Sequence, residues 1–363
     1  MSVRKLKTLL AAAASAAALQ ALAGSATDPA RFNAFYAPYY QIPSASLMSP
    51  AAARGKDLVD YTYRYLGDQS GVRAANGKPY VGNKLACSNC HMDSATRPNA
   101  GPLVVAAKKY APPGIFSARE NVNRDTTIRV NGCFERSLAG EALPPDSPYM
   151  QDILAYLDFL ATGIQPGSTW QQVPGQEFPK VTQLTRAADP DRGATIYKDR
   201  CESCHQRDGS GVWRDDEQRY RYPPLWGDNS FALQAGMGRL MTAVTLVYGN
   251  MPYDKVDALD PGTRMSEADA WDVTAYLLRE SRPFNLRHVT QDWQGVGPDG
   301  VPNWLKRAPD ASYDYTMPRV NASGVLTGNP MDPPKFPRSQ HIYGPFKPIQ
   351  DALKAARTYY GYP

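Results

Sequence analysis

The stretch Cys87-Ser88-Asn89-Cys90-His91 returns in kind at Cys201-Glu202-Ser203-Cys204-His205. In each pentad two cysteines flank two residues and a histidine follows at once. This spacing lets both thiols join the vinyl groups of one porphyrin as thioethers while the histidine turns toward the iron. A zinc site built from two Cys-x-x-Cys knuckles uses similar spacing. The immediate histidine in both copies, in a chain that begins like an exported one, favours haem over zinc. Two covalently bound haem c groups are therefore expected, on Cys87/Cys90 and Cys201/Cys204, with His91 and His205 as iron ligands.

Working outward, the pentads use four of the five cysteines and leave Cys133 without a partner for an intramolecular disulfide. In an oxidising compartment such a cysteine is buried, reactive or bound to something. Export is read from the N-terminus: Arg4, Lys5 and Lys7 precede an apolar run from Leu9 to Ala23, with small residues at Ala21, Ala23, Gly24 and Ala26. That run is short and alanine-rich for a membrane anchor, and residues 1–26 read as a signal peptide. A periplasmic location follows, which is where bacteria attach haem to such pentads. Excising residues 1–26 removes three cations and no anion, so a net charge of +5 falls to +2. No charge run suggests a nucleic-acid partner, and no later segment resembles a membrane span.

The second half of the chain partly repeats the first. A helical pattern precedes each pentad, over Ala52–Leu66 and Asp191–Arg200. An amphipathic helix closes each unit, over Pro148–Ala161 and over Glu267–Arg279, the latter with Ser266 and Asp269 placed as a near capping box. "DILAYLDFL" in the first is echoed by "DVTAYLLRE" in the second, and Tyr156 and Tyr276 are expected to pack against each unit's first helix. The fold class read from this is all-α: two tandem class I-like cytochrome c domains with a linker and an irregular Pro/Tyr-rich C-terminal tail. The boundaries are a first domain over 27–165, a linker over 166–188, a second domain over 189–282 and an extension over 283–363. From 282 onward the chain carries twelve of the 32 prolines and little periodicity until Ile349–Tyr360. Its two histidines, His288 and His341, read as surface or packing residues.

Each iron needs a sixth ligand or an open position. For the second haem Met251, in "YGNMPYD" just before the closing helix, is the natural thioether ligand. Met237 and Met241 compete but read as core residues on a helix, and Lys255 is a remote alternative. The first unit has no comparable Met-Pro. Met92 adjoins His91 and cannot reach the opposite face, and Met150 lies within a helix. Cys133 occupies the corresponding window, and a thiolate on iron would favour the ferric state. Its neighbours Arg119, Arg129 and Arg136 are basic. If "TTIRVNGCFERSLAG" is helical, Arg129, Cys133 and Ser137 share one face. Guanidinium groups beside a sulfur lower its pKa and bind oxyanions through paired donors, which suggests an anionic substrate.

"FSAREN", "RVNGCFERSLAG", "YMQDILAYLDFLATG" and "YPPLWGDNSFALQAGMGRL", followed by "NMP", together resemble the dihaem thiosulfate dehydrogenase/tetrathionate reductase family over roughly residues 55–285. The resemblance implies an active site at the first haem with His91 and Cys133 as axial ligands. It implies Arg119, Arg129 and Ser137 as substrate-site residues, and electron exit through the second haem to a soluble cytochrome c or other periplasmic partner. The implied reaction joins two thiosulfates to give tetrathionate and two electrons, or the reverse. Some relatives place a lysine beside the ligating methionine and exchange ligands on reduction; here that position is Asn250, and stable His205/Met251 ligation is the simpler expectation. Two other readings use the same parts: a non-catalytic dihaem electron carrier, and a sulfur-oxidation cytochrome that conjugates thiosulfate to a carrier protein's cysteine.

Overall fold

Short polar caps followed by proline start four of the long helices. Asp28, Ser49, Ser147 and Asp189 each accept a hydrogen bond from a backbone N–H of the first turn, and proline follows each cap. They open α1 (Pro29–Tyr36), α2 (Pro50–Asp60), α4 (Pro148–Ala161) and α5 (Pro190–Arg200). Between them α3 (Thr126–Arg136) is capped by Asp125. Next come α6 (Leu240–Asn250) and α7 (Glu267–Arg279), the latter capped by Ser266, which accepts from the Asp269 N–H at 3.1 Å. The computed structural model describes residues 27–117, 122–284, 319–320, 326–328 and 338–359. The expected signal peptide, Arg119 and His288 lie outside the described residues.

One helix crossing occurs twice. In α2 against α4, a Cβ on Gly55 would meet the Asp152 carbonyl oxygen at 1.9 Å; in α5 against α7, one on Gly193 would meet the Asp272 carbonyl at 2.0 Å. Only a residue without a side chain permits backbones that close. Arg54, before the first glycine, forms a bidentate pair with Asp152 at 2.7 Å, and Arg192, before the second, pairs with Asp272. Tyr156 and Tyr276 both lie against these glycines, as their sequence positions suggested. The internal repeat is thus legible residue by residue in the packing.

The expected helix over Ala52–Leu66 breaks at Tyr61 (φ −132°, ψ 39°) and resumes over Thr62–Leu66. The break matters for the first pentad, because Thr62 Oγ1 accepts from the Cys87 N–H at 3.0 Å. Three antiparallel hairpins amend the all-α expectation: β1 (Ile115–Ser117) with β2 (Val122–Arg124), β3 (Val212–Arg214) with β4 (Arg219–Tyr222), and β5 (Arg319–Val320) with β6 (Leu326–Gly328). The β3–β4 hairpin follows the second pentad yet packs on the first core. Trp213 meets the Tyr63 ring edge-on at 5.5 Å and Tyr220 at 4.9 Å, beside Leu58, Leu66, Phe134 and Leu157.

The stretch expected as a linker is bonded along its length rather than free. Val173 is buried among Phe32, Tyr36 and Tyr40, and Trp271 Nε1 donates to the Thr182 carbonyl at 2.8 Å. Among the described residues of the extension, α8 (Arg338–Tyr343) and α9 (Lys347–Tyr359), the latter over the stretch where periodicity was expected, dock on the second core through Phe346, Ile349 and a bond from the Ala188 N–H to the Tyr343 carbonyl at 2.7 Å. Among the described residues no helix is long and apolar enough to cross a membrane.

Candidate active site

Cys133, Arg129 and His91 converge. Helix α3 carries Arg129 and Cys133 one turn apart, and Arg129 Nη1 donates to Cys133 Sγ at 3.0 Å. Ser137 still has helical dihedrals (φ −68°, ψ −37°), so it continues the same face one turn on. Asn83 holds that end of the helix by donating to the Ser137 carbonyl at 2.9 Å. Burial alone would push the Cys133 thiol up. The Arg129 charge and hydrogen bonds from His91 and Arg129 outweigh it and hold the thiol at about 6. Tyr110, from the turn after Ala106–Lys109, also bonds the Arg129 side chain. Nothing in the sequence distinguishes this tyrosine from the other 21. Arg136 points elsewhere: it is 5% exposed and bonds the Gly132 carbonyl at 3.4 Å.

The four pentad cysteines form no disulfide. Burial pushes Cys87, Cys90 and Cys201 up to about 12, the opposite direction from Cys133. No set of three or more His, Cys, Asp or Glu side chains among the described residues is placed to hold a metal ion by itself. Haem fits better. His91 Nδ1 lies 2.6 Å from the Gly101 carbonyl and His205 Nδ1 lies 2.8 Å from the Pro223 carbonyl. A carbonyl only accepts, so each Nδ1 carries the proton and each Nε2 is the nitrogen an iron could take, that of His91 on the side of Cys133. Such orientation of the far nitrogen is what an axial histidine requires.

Around the second pentad, Met251 ends α6, its N–H bonded to the Val247 carbonyl at 3.0 Å. Its side chain packs on the same core as Cys201 and Trp226. Met241 is engaged elsewhere, with Gln350 Nε2 from α9 donating to its sulfur at 3.6 Å. Met237 lies in the short turn Gly236–Gly238.

The turn after His91 was not foreseeable. Asp93, Ser94 and Ala95 are consecutive left-handed residues with φ of 54°, 53° and 67°. Each costs an L-residue roughly 1–2 kcal/mol, so the surroundings must hold the turn. Ser94 Oγ donates to Asp60 at 2.8 Å, Tyr156 OH donates to the Ser94 carbonyl at 2.7 Å, and Tyr253 OH donates to the Asp93 carboxylate.

A helix-rich fold with few strands, carrying Cys-x-x-Cys-His pentads whose histidines are oriented for iron, defines a c-type cytochrome. The cytochrome c family model matches residues 190–280, the part around the second pentad. The chain is 37% identical over 247 residues to a thiosulfate dehydrogenase of Allochromatium vinosum, covering 67% of this chain and 84% of that one. It is 36% identical over 210 residues to a thiosulfate dehydrogenase of Stutzerimonas stutzeri, covering 58% and 64%. Among solved structures it is similar to the thiosulfate dehydrogenase TsdBA of Marichromatium purpuratum in its as-isolated form. There the TM-score is 0.58 at 26% identity, over 73% of this chain and 57% of that one. The chain belongs to the thiosulfate dehydrogenase family.

Proposed function

We propose that this chain is a periplasmic dihaem cytochrome c that oxidises two thiosulfates to tetrathionate, or runs the reverse, at the site formed by His91, Cys133 and Arg129. The observation that carries the reading is the Arg129–Cys133 contact facing the imidazole of His91, in a member of this family. In this reading the described helices form two tandem cytochrome c domains. Haem c would be held by Cys87, Cys90 and His91 with Cys133 as a further iron ligand, and by Cys201, Cys204 and His205 with Met251 as a further ligand.

When bound, each haem supplies a one-electron acceptor, and the two together take both electrons released when a sulfur–sulfur bond forms between two thiosulfates. No proton is exchanged, so no general base is needed. The residues' task is to bring two dianions together. Arg129 spends one N–H on Cys133 and keeps further donors for sulfonate oxygens. Ser137, on the same face, offers a hydroxyl to a further oxygen, and Arg119 supplies a second cation. Fixed positive charge in a partly dry site offsets the repulsion that otherwise separates the substrates. The second haem, when bound, would be the electron route to a soluble cytochrome c or similar partner.

The test mixes purified protein with thiosulfate and ferricyanide and measures tetrathionate and haem content. Two haems per chain and tetrathionate formation without any carrier protein are expected. Inertness toward thiosulfate with normal reduction by a general reductant would make the chain an electron carrier instead. Turnover only in the presence of a cysteine-bearing carrier would make it a conjugating cytochrome.

A further inference from the structure

The loop that presents Met251 does more than end α6. It also grips the segment that orients His91. Asn250, immediately before Met251 and fully buried, donates from Nδ2 to the Asn99 carbonyl at 2.9 Å. Asn99 Nδ2 returns a bond to the Ala258 carbonyl at 2.9 Å. Arg97, also fully buried, donates to the Val256 carbonyl at 2.9 Å and lies over the Tyr253 ring at 4.6 Å. Its Nη1 faces the Asp93 carboxylate at 3.5 Å, and the Tyr253 hydroxyl closes the set on the other carboxylate oxygen of Asp93.

Both supports of His91 fall within the gripped segment. Ala95, in the left-handed turn, donates to the His91 carbonyl at 2.9 Å. Gly101, two residues beyond the doubly bonded Asn99, provides the acceptor for His91 Nδ1. The first unit does not hold this arrangement alone. Asp93 is turned into a conformation an L-residue disfavours, and its partner Tyr253 comes from the second unit.

We propose that Tyr253 and Asn250 are positioning residues for the first haem site: acting through Asp93 and Asn99, the Met251 loop sets the orientation of the His91 imidazole across the seam between the two units. The inference rests on the reading of His91 as an iron ligand, which haem content per chain checks separately. It also couples the two sites, because Met251 and the groups that hold the His91 segment share one loop.

The test compares holoprotein carrying Tyr253→Phe with wild type. This removes one hydroxyl and leaves the ring beneath Arg97. A second variant, Asn99→Asp, loses the donor to Ala258. Tyr40→Phe serves as a control, since Tyr40 OH also donates to a buried carbonyl, that of Leu160 at 2.9 Å, away from the clamp. Electron paramagnetic resonance reads the low-spin ferric signal of the first haem, and steady-state assays separate kcat from KM. Tyr253→Phe and Asn99→Asp should each shift the first haem's g values and lower kcat, roughly tenfold as for other supports of metal ligands. KM should be unchanged, and Tyr40→Phe should leave the signal alone. If either variant does not fold, the other decides. An unshifted first-haem signal in a folded Tyr253→Phe or Asn99→Asp protein that keeps both haems overturns the proposal. An equal shift in Tyr40→Phe also overturns it, by showing only general destabilisation. A single haem per chain would instead defeat the underlying reading.

Discussion

Replacing Arg129 with alanine removes the cation nearest Cys133. Nη1 lies 3.0 Å from the sulfur, and the group is also bonded by Tyr110, so it is held rather than sweeping through solvent. A charge-assisted hydrogen bond to an anionic oxygen in such a site contributes about 1.5–3 kcal/mol. A Coulomb calculation agrees: a unit charge about 5 Å away at an effective dielectric near 20 gives about 3 kcal/mol. At about 1.4 kcal/mol per tenfold change, kcat/KM for thiosulfate should fall roughly ten- to hundredfold. The assay is thiosulfate-dependent ferricyanide reduction over a range of substrate concentrations at fixed ionic strength. Arg129→Lys keeps the charge but loses the planar donors, and should recover part of the loss. On the proposed ligation by Cys133, the spectrum of the first haem should shift without disappearing, because the sulfur loses a donor and remains in place. Wild-type kcat/KM in a folded Arg129→Ala protein would refute the placement of the anion site.

Cys133→Ala should abolish the thiolate-type ferric signal of the first haem while leaving that of the second, as electron paramagnetic resonance can show. Met251→Leu should remove the methionine–iron charge-transfer band and lower the second haem's potential, whereas Met241→Leu should do neither, since the Met241 sulfur faces Gln350. Gly193→Ala places a Cβ at 2.0 Å from the Asp272 carbonyl and should cost about 3 kcal/mol or prevent folding, seen as a lower denaturation midpoint. Asp272 is fully buried; burial alone would raise its pKa, but Arg186, the Asp189 N–H and Arg192 hold it below the ordinary carboxylate value. A depressed folded-state pKa stabilises above the unfolded value near 3.9 and loses that contribution as pH falls through the folded value. Asp272→Asn should therefore cost about 3 kcal/mol at pH 7, and progressively less as denaturation is repeated below about pH 4.

What the sequence disclosed and what it hid divide along physical lines. The pentads, the closing helices and the odd cysteine are local or countable, and the closing helices stand where periodicity put them. The crossing glycines Gly55 and Gly193 lie in helical runs where nothing local marks them, and only the facing carbonyls explain them. The turn Asp93–Ala95 contains no glycine to announce its left-handed backbone, because its cost is met by Asp60, Tyr156 and Tyr253, remote in sequence. Trp213 looked like a residue of the second unit, yet it completes the first core. The hairpin over 212–222 was hidden by a charged turn and by strands too short for alternation to register. In each case but the hairpin, the missing information is a long-range partner.

The charge balance of the site constrains how the proposed reaction proceeds. Arg129 is already committed to Cys133, so a thiolate and this guanidinium nearly cancel. Two thiosulfates bring four negative charges into that neighbourhood. One neutralised pair cannot hold both at once, and Arg119 with the free donors of Arg129 offsets one dianion better than two. The substrates should therefore bind in sequence, the second more weakly than the first because the first has already used most of the available positive charge. Such ordering appears as an upward-curving rate at low thiosulfate concentration, steeper as ionic strength falls and repulsion is less screened. A hyperbolic rate law unaffected by salt would mean that the site holds more positive charge than Arg119 and Arg129 supply.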